Sequence, residues 1–153
     1  MGTSTAFEPP AIHLEALHIW VHGYQFPDAT DAWDGNWLRV TARCVVSGAS
    51  VEVSGAILDT VSFLRFRREL AELYERLQGV ATLESHEPEL KVQVTSLGAT
   101  GHCEVQIEIT SDQLNQDHRF KLMVDQSYLP DVIRGCEQVL SRYPVRNASA
   151  RGA

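Results

Sequence analysis

A chain of 153 residues with 44% hydrophobic and 22% charged residues has the composition of one ordinary globular domain, which excludes a disordered or membrane protein. No apolar stretch approaches the roughly 20 residues that cross a bilayer, so we expect no membrane span. The net charge of −7 argues against binding to a nucleic-acid backbone, which requires clustered lysine and arginine, and it is compatible with a basic protein partner.

The two ends of the chain are predicted to lie outside the folded domain. Residues 1–10 and residues 145–153 are small and polar, and we expect both to be flexible. The N-terminus has no basic segment followed by an apolar core, so we expect no secretory signal. The three cysteines form no CxxC pair, which favours a reduced cytoplasm over a disulfide framework or a zinc site. We therefore predict one cytoplasmic domain over residues 11–144.

Strand patterns dominate the first third of the chain. The apolar positions of residues 12–21 change parity near Glu15 and Ala16, which predicts a β-bulge at that point. A loop of about 15 residues follows, and clean alternation of apolar and polar residues returns from Leu38 to Val46. A Ser-Gly turn then leads to a third strand, which is the expected partner of the second in a hairpin.

An amphipathic helix is predicted after these three strands. Asp59 and Thr60 are candidate N-terminal caps, and Gly79 is a suitable stop after a helix that reaches about Gln78. Apolar side chains recur along this segment at intervals of four, three and four residues, which places them on one face. The residues of this face are Phe66, Leu70, Leu73 and Leu77.

The second half of the chain is predicted to form four more strands and a final helix. The helix extends from about Leu129 to Tyr143, and Pro144 ends it. Short turns between the strands make neighbours antiparallel. We therefore predict an α+β domain with a mainly antiparallel sheet of about six or seven strands and two amphipathic helices, in the order βββ-α-ββββ-α. The four strands lie at 80–83, 90–94, 103–109 and 120–124.

Residues 24–40, with the sequence YQFPDATDAWDGNWLRV, are unusual for a loop because they combine four large aromatic residues with three aspartates. The aspartates are spaced by three, no glutamate stands at the twelfth position, and the flanking segments are strands. This pattern does not match a calcium-binding loop. His18 and His22 share one face of a strand but lack a third ligand. We therefore predict no metal and no cofactor.

Motifs for catalysis are missing from the sequence. There is no GxSxG elbow and no glycine-rich phosphate loop, so no catalytic residue is predicted and the protein is not expected to be an enzyme. A second unusual segment, DQSYLP at 125–130, leads a strand directly into the last helix. Its polar residues either cap the helix or present Asp125 and Tyr128 to a partner.

Several short motifs together resemble the WapI-like immunity proteins, small bacterial proteins that neutralise a co-encoded polymorphic toxin. They are WDGNWL at 33–38, a Glu-Pro-x-Leu turn at 87–90, and DQSYLP before a final helix that ends in Tyr-Pro. The likeness covers Ile12 to Pro144. It implies tight stoichiometric binding of a toxin domain that occludes the toxin's active site, and it implies no role for any single residue.

The candidate partner-binding residues belong to the two unusual segments. Acidic side chains would steer a basic toxin towards the protein, and aromatic side chains would supply buried contact area. Trp37 has the opposite parity to Leu38, so we expect it on the sheet face away from the helices. The candidate residues are Tyr24, Phe26, Asp31, Trp33, Asp34, Trp37, Asp125 and Tyr128.

Two other interpretations remain open at this point. One is a small-molecule or metal-dependent enzyme with a pocket under the loop of residues 22–37. The other is a homodimerisation module in which the aromatic face forms the contact, and the expected state is accordingly a monomer or a homodimer. The resemblance to immunity proteins favours the toxin-binding interpretation over both.

Overall fold

The computed structural model describes residues 8–147, which form two successive units of four antiparallel strands and one helix. In each unit the strands pair in chain order, so neighbours along the sequence are neighbours in the sheet. The first unit consists of β1 (Ile12–Leu14), β2 (Leu17–Tyr24), β3 (Trp37–Val46), β4 (Ala49–Asp59) and α1 (Thr60–Arg76). The second unit consists of β5 (Val80–Glu84), β6 (Leu90–Ser96), β7 (His102–Ile109), β8 (Arg119–Asp125) and α2 (Leu129–Arg142).

The predicted α+β class, the antiparallel pairing and the two helices are confirmed, but the strands number eight. The predicted bulge near Glu15 is wrong, because a two-residue turn separates β1 from β2 and places Leu14 opposite Leu17. Glu15 has a φ of 53°, the positive value that two-residue hairpin turns require. The parity change in the sequence therefore marks a reversal of the chain.

The strands form two sheets and not the single sheet that was predicted. After β4 the chain enters α1, whose 17 residues extend for about 25 Å at the rise of an α-helix. β5 then lies beside α1 and not beside β4, and the Thr82 N–H donates to Glu69 Oε1 of α1 at 2.9 Å. This contact occupies a backbone donor at the outer edge of the second sheet, where an open edge would invite pairing with another chain.

Helix α1 begins and ends with identifiable caps. Asp59 Oδ1 accepts the N–H of Ser62 at 2.8 Å, which confirms the predicted N-terminal cap. The helix ends at Arg76 because Leu77 adopts a left-handed conformation with a φ of 53°. Of the predicted apolar face, the first three residues are buried and Leu77 is half-buried.

The two helices pack against each other, and both contribute to one hydrophobic core with the inner faces of the two sheets. Helix α2 also contacts β1, and Gly135 makes this close approach possible: a Cβ atom at this position would overlap the carbonyl oxygen of Ala11 and lie 3.0 Å from Ile12 Cδ1. The three cysteines are buried and unbridged. Burial raises the pKa of the Cys136 thiol to about 12, so this residue is an apolar core side chain at neutral pH.

The described residues cover the predicted domain of residues 11–144 and a few residues on either side. Most of the predicted flexible segments, residues 1–7 and 148–153, lie outside the described part, so those domain limits stay a prediction. Residues 145–147 of the predicted tail are described and contact the domain. Between residues 8 and 147, no helix is long and apolar enough to span a membrane.

Candidate functional site

The β2–β3 loop, residues 25–36, carries a group of exposed aromatic and acidic side chains on its outer surface. Trp33 is 61% exposed and Phe26 is 46% exposed, which is unusual for side chains of this size. Asp28, Asp31 and Asp34 are exposed on the same loop. The loop therefore combines large apolar area with three carboxylates, a composition typical of recognition surfaces.

The inner side of the same loop is buried and centres on the Asn36 side chain, which is 0% exposed. Its Nδ2 donates to the carbonyl of Ala32 at 2.7 Å and to that of Arg146 at 2.8 Å. Its Oδ1 accepts the N–H of Arg146 at 2.7 Å and the hydroxyl of Thr60 at 2.7 Å. All four hydrogen-bonding positions of the amide are thus occupied, and the amide joins the loop to α1 and to Arg146 in the C-terminal segment.

Asp31 shapes the loop locally and keeps its negative charge. Its Oδ2 accepts the N–H of Asp34 at 2.8 Å and the N–H of Trp33 at 3.1 Å, at the start of the 3₁₀ turn Asp34–Asn36. These bonds favour the carboxylate, and that from Asp34 contributes most to lowering the pKa of Asp31. Gly35 packs closely against the backbone of Ala29, since an added Cβ would be 3.0 Å from the Ala29 carbonyl oxygen.

The last described residues of the chain fasten the first half of the loop. The hydroxyl of Tyr24 donates to the Pro144 carbonyl at 2.6 Å, and the Tyr24 ring packs edge-on against Tyr143 with centroids 5.3 Å apart. The Arg146 guanidinium lies 3.6 Å from the centroid of the Tyr24 ring. Its Nη1 donates to the Ala29 carbonyl at 2.7 Å. Tyr24 is therefore a half-buried support of the loop more than part of its exposed surface.

The predicted candidate residues fall into two separate groups. Tyr24 lies beyond the C-terminal end of α2, whereas Asp125 and Tyr128 precede its N-terminal end, and a helix of 14 residues is about 21 Å long. Asp125 Oδ1 accepts the N–H of Ser127 at 2.9 Å, which lowers the pKa of Asp125. The Tyr128 hydroxyl donates to Glu15 Oε2 at 2.9 Å, and this bond raises the pKa of Tyr128. Asp125 thus caps the 3₁₀ turn Gln126–Tyr128 that precedes α2, whereas Tyr128 bonds to the turn between β1 and β2.

Trp37 lies at the end of the loop, on the side of β3 opposite the buried Leu38. It is half-buried, and its ring packs edge-on against His86 with centroids 5.1 Å apart. Two residues that complete the site, Asn36 and Arg146, were missed by the sequence interpretation. Asn36 carries a weak signal, since asparagine is a common turn residue. Nothing local to Arg146 indicates a contact with a segment 110 residues away.

A groove in the described part of the chain lies away from the loop, under which the enzyme interpretation places its pocket. It has a volume of about 580 Å³, and its lining includes Asp59, Ser62 and His86 but no residue of the β2–β3 loop. Ser62 Oγ donates to Asp59 Oδ1 at 2.7 Å, and His86 Nε2 lies 2.9 Å from Asp59 Oδ2. Both side chains contact the same carboxylate, so the histidine does not stand between hydroxyl and carboxylate as in a hydrolase triad.

The described residues form no candidate metal-binding site. Among residues 8–147 there is no group of three or more histidine, cysteine, aspartate or glutamate side chains that could hold an ion. The loop aspartates, although close in sequence, are spread over a turn in which Asp31 accepts backbone N–H groups.

The two ββββα units and the aromatic-acidic loop define a small α+β domain with the features of a binding protein. The model of the Immunity protein WapI-like family matches residues 11–144, and the chain belongs to this family. The resemblance seen in the sequence is thereby confirmed, and the protein is an immunity protein by class. No curated protein matches the chain.

Three solved structures match the chain at low similarity. The CdiA-CT/CdiI toxin and immunity complex from Enterobacter cloacae is 11% identical, with 80% of this chain and 99% of that chain covered and a TM-score of 0.43. WHY1 from Arabidopsis thaliana is 12% identical, with 91% and 90% covered and a TM-score of 0.46. The plant transcriptional regulator PBF-2 is 9% identical, with 89% and 79% covered and a TM-score of 0.46. Similarity at this level assigns neither function nor partner to the chain.

Proposed function

We propose that this immunity protein binds a cognate toxin domain in the bacterial cytoplasm and neutralises it by occlusion, with the outer surface of the β2–β3 loop as the central contact. The observation that carries this proposal is the exposure of Trp33, at 61%, on a loop whose inner side is buried. A monomer or a homodimer remains the expected state, and neutralisation requires no catalytic residue in this chain.

Energetic reasons support the loop as the contact. Binding energy at protein interfaces concentrates in a few residues, among which tryptophan is enriched, when these are buried by the partner. A loop that is already ordered loses less conformational entropy on binding than a flexible one. The bonds of Asp31 and Asn36 provide this order before any partner arrives.

Electrostatic reasons indicate a basic partner surface. The chain has a net charge of −7, and the loop that carries the two exposed aromatic rings also exposes Asp28, Asp31 and Asp34. Charges at the rim of an interface accelerate encounter with a surface of opposite sign and contribute less to the lifetime of the complex. We therefore assign the aromatic side chains mainly to affinity and the aspartates mainly to the association rate.

We expect Trp33→Ala to weaken binding of the toxin domain encoded beside this gene by about 30-fold or more, because a hot-spot truncation costs about 2 kcal/mol. Isothermal titration calorimetry with the purified toxin domain measures the effect, and survival of cells that express the toxin provides the functional assay. Leu114→Ala is the matched control, because Leu114 is 94% exposed on the loop between β7 and β8. An unchanged Kd for Trp33→Ala would exclude this loop as the central contact.

We expect Asp28→Asn combined with Asp34→Asn to slow association about three- to tenfold at low salt and to leave dissociation nearly unchanged. Asp31 is kept because its carboxylate holds the turn. Stopped-flow kinetics at two salt concentrations measures the effect. The control, Glu72→Gln with Glu75→Gln on exposed positions of α1, removes the same charge elsewhere. If both pairs slow association equally, overall charge steers the partner and the loop has no special role.

A further inference from the structure

We propose that the C-terminal segment of residues 144–147 is a latch that sets the shape of the β2–β3 loop for toxin binding, and that Arg146 is its positioning residue. The inference rests on the proposed function of the loop. The family match ends at residue 144, so Arg146 and Asn147 lie beyond the matched segment. The latch is thus argued from the contacts of this chain alone.

The side chain of Arg146 contacts the loop through a ring contact and through hydrogen bonds. Its guanidinium stacks at 3.6 Å from the centroid of the Tyr24 ring, at the point where β2 passes into the loop. In addition, Nη1 donates to the carbonyl of Ala29 at 2.7 Å and to that of Phe26 at 3.3 Å. A planar guanidinium can stack on a ring and donate hydrogen bonds at the same time, which the single ammonium of lysine cannot do.

The backbone of Arg146 holds the other end of the loop. Its N–H donates to Asn36 Oδ1 at 2.7 Å, and its carbonyl accepts from Asn36 Nδ2 at 2.8 Å. Asn147 Nδ2 donates to the Thr30 carbonyl at 3.2 Å, between these two ends. A short segment therefore contacts the loop at its beginning, its middle and its end.

These contacts matter for binding because the loop has little regular structure of its own. Its only helical element is the 3₁₀ turn Asp34–Asn36, whose first N–H donates to the Asp31 carboxylate. Without the Arg146 side chain, the half that carries Phe26 loses its hydrogen bonds to the guanidinium, whereas the half that carries Trp33 keeps its bonds to Asp31. The partner must then order the first half on binding, and this cost lowers affinity.

Arg146→Ala in the full chain tests the latch first without a partner. We expect the amides of residues 25–30 to exchange with solvent about tenfold faster or more, because local opening of this half becomes easier, and the amides of residues 31–36 and of β7 to change less. Arg142→Ala is the matched control: its guanidinium is 6.0 Å from the Tyr143 ring, at the same end of α2. The latch proposal would be overturned if the amide exchange rates in Arg146→Ala rose equally in β7 and in the loop, or rose in neither.

Toxin binding provides the second readout. We expect Arg146→Ala to weaken binding about tenfold, and Arg146→Lys to restore less than half of this loss because lysine cannot stack and donate together. If Arg146 acts through the half of the loop that carries Phe26, its effect shrinks in the Phe26→Ala background, whereas an independent contact would add to it. Full restoration by lysine, or strict additivity, contradicts the latch.

The two proposals fail in different ways. A wild-type protein that does not bind the toxin domain refutes the proposed function, and the exchange experiment still decides whether the latch exists. A wild-type protein that binds through Trp33, combined with unchanged binding by Arg146→Ala, refutes the latch and leaves the proposed function standing.

Discussion

Replacing Gly135 by alanine is expected to destabilise the protein by about 2 kcal/mol, although alanine is the better helix former by about 1 kcal/mol. The added methyl group would overlap the carbonyl oxygen of Ala11 and press on Ile12 Cδ1. Ala11 cannot move away cheaply, because its N–H donates to the carbonyl of Ile19 in the neighbouring strand at 2.8 Å. Relief therefore requires α2 to separate from β1, with loss of core contacts on both elements.

Urea unfolding followed by far-UV circular dichroism measures this effect. Ser141→Ala is the control, since Ser141 is exposed in the same helix and its substitution is expected to change stability by less than about 0.5 kcal/mol. A Gly135→Ala variant as stable as the wild type would show that the helix and the strand do not approach as closely as described.

The fold illustrates what residue patterns can and cannot predict. The periodicity that placed Phe66, Leu70 and Leu73 on one face predicted their burial, because the helical repeat alone determines which side chains share a face. The turn at Glu15 was missed, because a hairpin and a bulge both shift the parity of apolar residues, and glutamate seldom adopts a positive φ. The division into two sheets depends on which strands pair across the chain, and alternation carries no information about partners.

Some residues of the candidate site could also be predicted from the sequence, whereas others could not. Phe26 and Trp33 were named as candidates because a polar loop offers large aromatic residues few core contacts, and both are exposed. Asn36 and Arg146 were not predicted, because their contact joins positions 110 residues apart. Arg146 also lies in a short polar stretch whose composition is that of a flexible tail.

The two sides of the β2–β3 loop differ in burial. Ala32, Gly35 and Asn36 are buried and close the end of the domain, whereas Phe26 and Trp33 remain exposed. A loop that served only as a lid would bury its tryptophan, since this burial would add stability. The buried inner side therefore explains why the loop is ordered, and the exposed side chains of its outer side are available to a partner.

Asn36→Ala is expected to destabilise the protein by about 3 kcal/mol, because a buried polar group left without its hydrogen bond costs about 1–3 kcal/mol. Four groups lose a partner together: the Thr60 hydroxyl, the Ala32 carbonyl, and the N–H and carbonyl of Arg146. The Asn36 side chain is 0% exposed and its bonds to Thr60 and Ala32 are buried, so water reaches these two groups only if the loop opens. The variant should also weaken toxin binding, since the same amide anchors the end of the loop.

Chemical denaturation gives the change in the free energy of unfolding, and Asn115→Ala provides a matched control. Asn115 is exposed, and its Nδ2 donates to Asp112 Oδ2 at 2.9 Å, so its removal breaks an amide–carboxylate bond in water and is expected to cost less than about 1 kcal/mol. If Asn36→Ala lowers the free energy of unfolding by no more than Asn115→Ala does, the four hydrogen bonds of the Asn36 amide contribute little to stability. The loop would then owe its order to Asp31 and Arg146 alone.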